Sequence, residues 1–95
     1  MRKITEESIN AFYAKRRFKK RNMQVVIDNG EVHLLLHGNA IAKLIDDDLF
    51  IDSCGWNTNT TRDRLSGLKG VCVRTVKGQM ILNEKSWDGK LKQIV

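Results

Sequence analysis

The chain has 95 residues, of which 41% are hydrophobic and 29% are charged, and its formal net charge at pH 7 is +6. This length predicts a single domain, residues 1–95, because two halves would each be too small to bury a core. The balanced composition argues against global disorder. No run approaches the twenty or so apolar residues that span a bilayer, so we expect no membrane partner.

The N-terminus and the two cysteines favour a reducing compartment. Residues 1–7 are too charged for a signal peptide, which requires an unbroken apolar segment. Without a secretion signal, Cys54 and Cys72 are predicted to be free thiols. Cys72 lies between two valines and is predicted to be buried. We therefore expect a cytoplasmic protein.

The first predicted element is a helix. Thr5 is a candidate N-cap, and the two glutamates that follow it would lie in the first turn, where the helix dipole favours negative charge. Apolar residues then recur at helical spacing at Ile9, Phe12 and Tyr13. The basic residues that begin at Lys15 are predicted to form the last turn.

From Met23 onward the apolar residues alternate with polar ones, which is typical of strands. Asn29-Gly30 between two such runs is a strong hairpin signal, because both residue types tolerate positive φ. Gly38-Asn39 and the three aspartates at 46–48 mark two further turns. The pattern predicts an antiparallel meander of four short strands, over 23–27, 31–37, 41–44 and 49–54.

The rest of the chain predicts a second helix and one more hairpin. Residues 62–68 form the helix, with Thr60 as N-cap and Asp63 three residues later in a pattern that resembles a capping box. Residues 71–76 and 79–82 flank Lys77-Gly78 as a hairpin, and a tail follows. The fold class is therefore α+β, with an N-terminal helix packed on a mostly antiparallel sheet of about six short strands and a second short helix after the fourth.

Three segments carry a resemblance to a known group of proteins. They are residues 36–42 (LHGNAIA), 55–65 (GWNTNTTRDRL) and 82–89 (LNEKSWDG). Together they resemble a group of small phage and prophage proteins, over about residues 18–89. The resemblance implies a phage origin and a life in the cytoplasm of the infected bacterium, and it implies no activity.

No pattern in the chain indicates catalysis, a metal or another cofactor. His33 and His37 would lie ~13 Å apart on a strand, too far to share one ion. The three aspartates at 46–48 lack the alternating ligands of a calcium loop and are typical of a solvated turn. No catalytic triad order, nucleotide-binding glycine loop or paired cysteine motif occurs. We expect a protein that is not an enzyme and has no cofactor.

Two further features have both a structural and a functional interpretation. Trp56 and Trp87 could stack on bases, but in a small domain a tryptophan is more often a core residue, and we predict that role for both. The start of the second helix, with Arg62 and Arg64 nearby, could hold a phosphate. Simple helix capping uses the same residues and is the favoured interpretation.

Residues 15–21 (KRRFKKR), the basic segment, hold six of the seventeen basic residues and no acid, and the remaining eleven basic residues equal the eleven acidic ones in number. Six cations so close together repel one another, so the cluster does not stabilise the fold and favours a functional explanation. We therefore predict a non-catalytic phage protein that binds nucleic acid through phosphate contacts. The predicted contact residues are Lys15, Arg16, Arg17, Lys19, Lys20 and Arg21, with Arg62 and Arg64 as additions. There are two alternatives. The basic segment could bind an acidic surface of a host bacterial protein, or it could be a solvated helix end without a binding function.

Overall fold

The computed structural model describes residues 2–94, which form two helices and nine strands. The helices are α1 (Lys3–Tyr13) and α2 (Asn59–Ser66). The strands are β1 (Phe18–Lys20), β2 (Met23–Asp28), β3 (Glu31–Leu36), β4 (Asn39–Ile45), β5 (Asp48–Ile51), β6 (Val73–Val76), β7 (Gln79–Leu82), β8 (Lys85–Ser86) and β9 (Lys92–Ile94). The predicted α+β class, with an N-terminal helix, a six-stranded antiparallel sheet and a second short helix, is confirmed.

The main sheet is an antiparallel meander with the strand order β1-β2-β3-β4-β5-β9. Asn29 and Gly30 connect β2 to β3 with φ angles of 49° and 82°, the conformation that two-residue hairpin turns require. The next turn is formed by His37 and Gly38. It lies one residue earlier than the predicted Gly38-Asn39 turn, because Asn39 already pairs with Leu36 in the sheet.

The edge strand β1 replaces the predicted last turn of the first helix. Lys15 adopts a left-handed conformation with φ 54°, and the backbone N–H groups of Lys15 and Arg16 donate to the carbonyls of Phe12 and Ala11. These two bonds form the Schellman arrangement that ends a helix. The basic segment therefore leaves the helix, and Phe18–Lys20 pairs with β2.

The predicted hairpin of the second half is present, but it belongs to a separate sheet. Strand β7 pairs with β6 on one side and with β8 on the other, which forms a three-stranded sheet. The sixth strand of the main sheet is instead β9, which lies in the predicted tail and occupies the outer edge of β5. Both the N–H and the hydroxyl of Ser53 donate to the Gly89 carbonyl at 2.8 Å, which fixes the segment before β9.

Both predicted helix caps are wrong. Thr5 lies inside α1, where it is buried and its hydroxyl donates to Asp63 Oδ2 at 2.6 Å. Helix α2 begins at Asn59, three residues before the predicted start, and its N-cap is Thr58, whose Oγ1 accepts from the Thr61 N–H at 3.1 Å. Thr58 takes the cap position rather than Thr60 because its backbone has the extended conformation of an N-cap, with φ −115° and ψ 160°.

The core lies between one face of the main sheet and the two helices. Helix α1 packs against β1, β2 and β3, and α2 packs against β4 and β6. Trp87 is buried, as predicted. A β-bulge between Leu34 and Leu35 changes the phase of β4, so that the consecutive residues Ile41 and Ala42 are both buried. Among residues 2–94, no helix is long and apolar enough to cross a membrane.

Two burial predictions are wrong. Cys72 is exposed, because the side chains of Val71 and Val73 on either side of it point into the core. Trp56 is 56% exposed, because it lies in the loop before α2 and outside the packed layers. The other cysteine, Cys54, is half-buried, and both cysteines are free thiols as predicted.

Candidate nucleic-acid interface

The basic segment forms an exposed ridge from the end of α1 through the edge strand β1. All six of its basic side chains are exposed, at positions 15, 16, 17, 19, 20 and 21. Phe18, in the middle of the segment, is half-buried and packs against the hydrophobic core. The aromatic ring therefore anchors the segment to the protein, and the charged groups remain on the surface.

Two of the six cations are paired with carboxylates. Lys15 Nζ lies 2.8 Å from Asp47 Oδ1, and Lys20 Nζ lies 3.0 Å from Glu7 Oε1. Such surface pairs are worth little and open readily. Within residues 2–94, Arg16, Arg17, Lys19 and Arg21 form no ion pair. The segment therefore offers four uncompensated cations to an anionic partner.

Arg64 is not part of this surface. Its side chain is only 2% exposed, and its guanidinium donates to Thr5 Oγ1 and Asp63 Oδ2, both at 2.8 Å, and to Asn22 Oδ1 at 3.4 Å. A group enclosed in this way has no free face for a phosphate. The structure therefore corrects the predicted role of Arg64 in binding. This residue is buried, and it joins α1, α2 and the β1–β2 turn.

Arg62 lies two residues away on the same helix and has a different environment. It is half-exposed, and its two terminal nitrogens donate to the side-chain carbonyls of Asn57 and Asn59. Neither partner is charged, and within residues 2–94 Arg62 forms no ion pair. Of the two arginines predicted as additions to the basic segment, only Arg62 is available at the surface.

The β1–β2 turn places the end of the basic segment beside the second half of the chain. Asn22 follows Arg21, and its carbonyl accepts from the His37 N–H at 2.9 Å. Its side chain also accepts from the buried Arg64 of α2. The β1–β2 turn, the β3–β4 turn and α2 therefore meet at one end of the main sheet.

A cavity of about 360 Å³ lies at the same end of the sheet. It lies between the β3–β4 turn and the loop that leads into α2, and its lining residues are Leu36, His37, Asn39, Ile41, Trp56, Thr58, Thr60 and Thr61. The two halves of this lining come from segments 36–42 and 55–65, which carry most of the resemblance described above. The sequence did not predict the cavity, because its two halves lie about twenty residues apart in the chain and only the fold brings them together.

A second, wider groove of about 1030 Å³ lies at the other side of the molecule, between the three-stranded sheet and β9. Three exposed lysines, Lys85, Lys90 and Lys92, lie along it, together with Asp88. Strand β9 is the edge of the main sheet opposite β1. These lysines are therefore remote from the basic segment, and they provide a control of equal charge.

Among residues 2–94, no group of three or more histidine, cysteine, aspartate or glutamate side chains could hold a metal ion. His33 lies in β3 with its Nε2 3.0 Å from Glu31 Oε1, whereas His37 lies in the turn beside the cavity. Burial raises the pKa of the Cys54 thiol, and the neighbouring Asp52 raises it further while Lys43 lowers it. This thiol therefore stays protonated at neutral pH and is a poor nucleophile.

Comparison with known protein families gives a match over most of the chain. The family model described as Kyanoviridae Gp96 protein matches residues 1–92. No curated protein and no solved structure matches the chain.

Proposed function

The chain belongs to the Kyanoviridae Gp96 protein family, a phage family, and we propose that it is a non-catalytic phage protein that binds nucleic acid through the basic segment. The observation that carries this proposal is the set of four exposed and unpaired cations at positions 16, 17, 19 and 21. Such a ridge can bind the phosphate groups of nucleic acid whatever the base sequence, because each phosphate contact releases condensed counterions.

The rigid attachment of the ridge supports the proposal. Phe18 packs on the core, and β1 is hydrogen-bonded to β2. Lys19 and Lys20 therefore stand on an ordered edge strand, and Arg17 and Arg21 adjoin its two ends, so that less backbone entropy is lost on binding than from a free tail. Their alternation also matters, because Lys19 and Lys20 point to opposite faces of the sheet. A strand of nucleic acid that follows the edge would contact cations on both faces.

The test is a binding measurement on a variant that leaves the fold intact. Arg17→Gln, Lys19→Gln and Arg21→Gln together remove three exposed cations that have no ion-pair partner in residues 2–94. The matched control is Lys85→Gln, Lys90→Gln and Lys92→Gln, which removes the same charge from the groove between the three-stranded sheet and β9. Affinity for generic single strands and duplexes is measured by fluorescence anisotropy at low salt.

We expect the wild type to bind both forms. The affinity of the basic-segment variant should be lower by about tenfold for each phosphate contact that it loses, at ~50 mM salt. The control variant should keep most of the affinity, since its lysines do not lie on the ridge. If the wild type binds neither form, the proposal is wrong. If it instead captures one bacterial protein from nuclease-treated lysate, and the basic-segment variant does not, the ridge binds an acidic protein surface.

A further inference from the structure

The cavity beside the β3–β4 turn is large enough to bind one small ligand or one small part of a larger ligand. Its volume of about 360 Å³ is at the lower end of the ~300–1,000 Å³ range that is typical of ligand pockets. The lining contains no acidic side chain, so an anionic chain can approach the opening without repulsion.

Trp56 is the feature that distinguishes this cavity. Its side chain is 56% exposed, whereas the other tryptophan, Trp87, is 5% exposed and donates its indole N–H to the Lys90 carbonyl. A tryptophan left in water exposes a large apolar ring that the fold does not use for packing. Such a ring at the wall of a cavity is suited to stack on the flat face of a base.

Polar groups without strong partners surround the ring. Within residues 2–94, the His37 ring and the Thr60 hydroxyl make no side-chain hydrogen bond, and the Asn39 amide makes only a 3.5 Å contact with the His37 carbonyl. An amide and an imidazole both offer a donor and an acceptor. These groups match the edge of a nucleobase, which also presents donors and acceptors side by side.

The position of the cavity connects it to the basic segment. The His37 N–H donates to the carbonyl of Asn22, the residue that follows Arg21. Arg62 donates to the side chain of Asn57, the residue after Trp56, and forms no ion pair within residues 2–94. A cation therefore lies near each of the two chain segments that line the cavity, and it could contact the phosphates that flank a bound base.

We propose that this cavity holds one unpaired base of a single-stranded nucleic acid, stacked on Trp56, while the basic segment binds the neighbouring phosphates. This inference rests on the proposed function and makes it more specific, because a duplex keeps its bases stacked inside and cannot fill the cavity. The protein accordingly binds single strands in preference to duplexes.

The test compares Trp56→Ala with Trp56→Phe, which keeps an aromatic face. Leu91→Ala is the control, since Leu91 is also 56% exposed but lies next to β9. The probes are a labelled twelve-nucleotide single strand, the corresponding duplex and a free mononucleotide. Thermal melting by circular dichroism checks that each variant folds.

We expect Trp56→Ala to weaken single-strand binding about 5- to 150-fold, which corresponds to 1–3 kcal/mol for one stacked base at 1.4 kcal/mol per tenfold. Duplex affinity should change less than about twofold, and Trp56→Phe and Leu91→Ala should stay near the wild type. Binding of the strand should also quench the tryptophan fluorescence of the wild type and not that of Trp56→Phe.

The possible failures are distinguishable. If Trp56→Ala binds the single strand as the wild type does, the cavity inference is wrong and the phosphate-binding function stands. If the wild type binds neither strand nor duplex, the proposed function fails and the inference fails with it. If the free mononucleotide binds as tightly as the strand, and the basic-segment variant binds it equally well, the cavity is a site for free nucleotides and the single-strand inference is overturned.

Discussion

Arg62 and Arg64 show how two residues of the same type acquire different roles. In a helix they lie about 200° apart, so one must point outward when the other points inward. The buried residues of α2 include Thr61, Arg64 and Leu65, which share one face. The sequence contained a signal for the burial of Arg64, because this residue is adjacent to Leu65 on the apolar face of the helix. The prediction placed both arginines at the surface because it considered only their charge.

The buried guanidinium of Arg64 leads to a prediction for stability. Arg64→Ala removes the group that holds Thr5, Asp63 and Asn22 together and leaves the Asp63 carboxylate without its cation. Loss of one partner from a fully buried ion pair costs about 3–5 kcal/mol, and the 27% exposure of Asp63 reduces the cost to the lower end of that range. The free energy of unfolding, measured by urea denaturation, should fall by that amount.

The control for this prediction is Arg62→Ala on the same helix. Within residues 2–94, the hydrogen bonds of its side chain go to the surface amides of Asn57 and Asn59, so the cost should stay within about 0.5 kcal/mol. Equal destabilisation by the two variants would contradict the assignment of Arg64 as a structural residue and Arg62 as a surface residue.

At the scale of elements, hairpins could be predicted from the sequence and edge strands could not. The β2–β3 and β6–β7 hairpins follow from alternating residues around Asn29-Gly30 and Lys77-Gly78. Strands β1 (FKK) and β9 (KQI) are each three residues long and contain one apolar residue, so they carry no apolar alternation. Strand β9 also pairs with β5, more than forty residues earlier in the chain, and no local pattern encodes that contact.

The segment that carries β9 to the main sheet depends on Gly89. This residue has φ 80°, and a Cβ atom there would lie 2.4 Å from Ser53 Oγ, whose hydroxyl bonds the Gly89 carbonyl. Gly89→Ala therefore combines backbone strain with a steric clash. Gly30→Ala is the matched control, since Gly30 has φ 82° and open space around its Cα.

We expect Gly30→Ala to cost about 1–2 kcal/mol, the penalty of a left-handed conformation for a residue with a side chain. Gly89→Ala should cost more, by the energy of displacing Ser53 and its hydrogen bond, about 1–3 kcal/mol. Both values come from urea denaturation followed by circular dichroism. A Gly89→Ala protein no less stable than Gly30→Ala would show that the close contact with Ser53 does not hold the C-terminal segment.

At the scale of the whole molecule, the excess positive charge lies at one edge of the main sheet. Asp47 pairs with Lys15 and Glu7 pairs with Lys20, so within residues 2–94 the uncompensated charge of the segment lies at positions 16, 17, 19 and 21. The sequence predicted the charge and its location in the chain. It did not predict the cavity or the exposure of Trp56, because these depend on how the β3–β4 turn and the loop before α2 come together.

The central claim is that the basic segment neutralises phosphates, and the salt dependence of binding tests it most directly. Log K falls against log salt with a slope of about −0.9 for each phosphate neutralised on duplex DNA. If each of the four unpaired cations contacts one phosphate, the wild type should give a slope of about −3.6, and the Arg17→Gln, Lys19→Gln and Arg21→Gln variant about −0.9. The lysine control in the groove between the three-stranded sheet and β9 should keep the wild-type slope. A basic-segment variant with an undiminished slope, or a wild type that binds no nucleic acid at low salt, would contradict the claim.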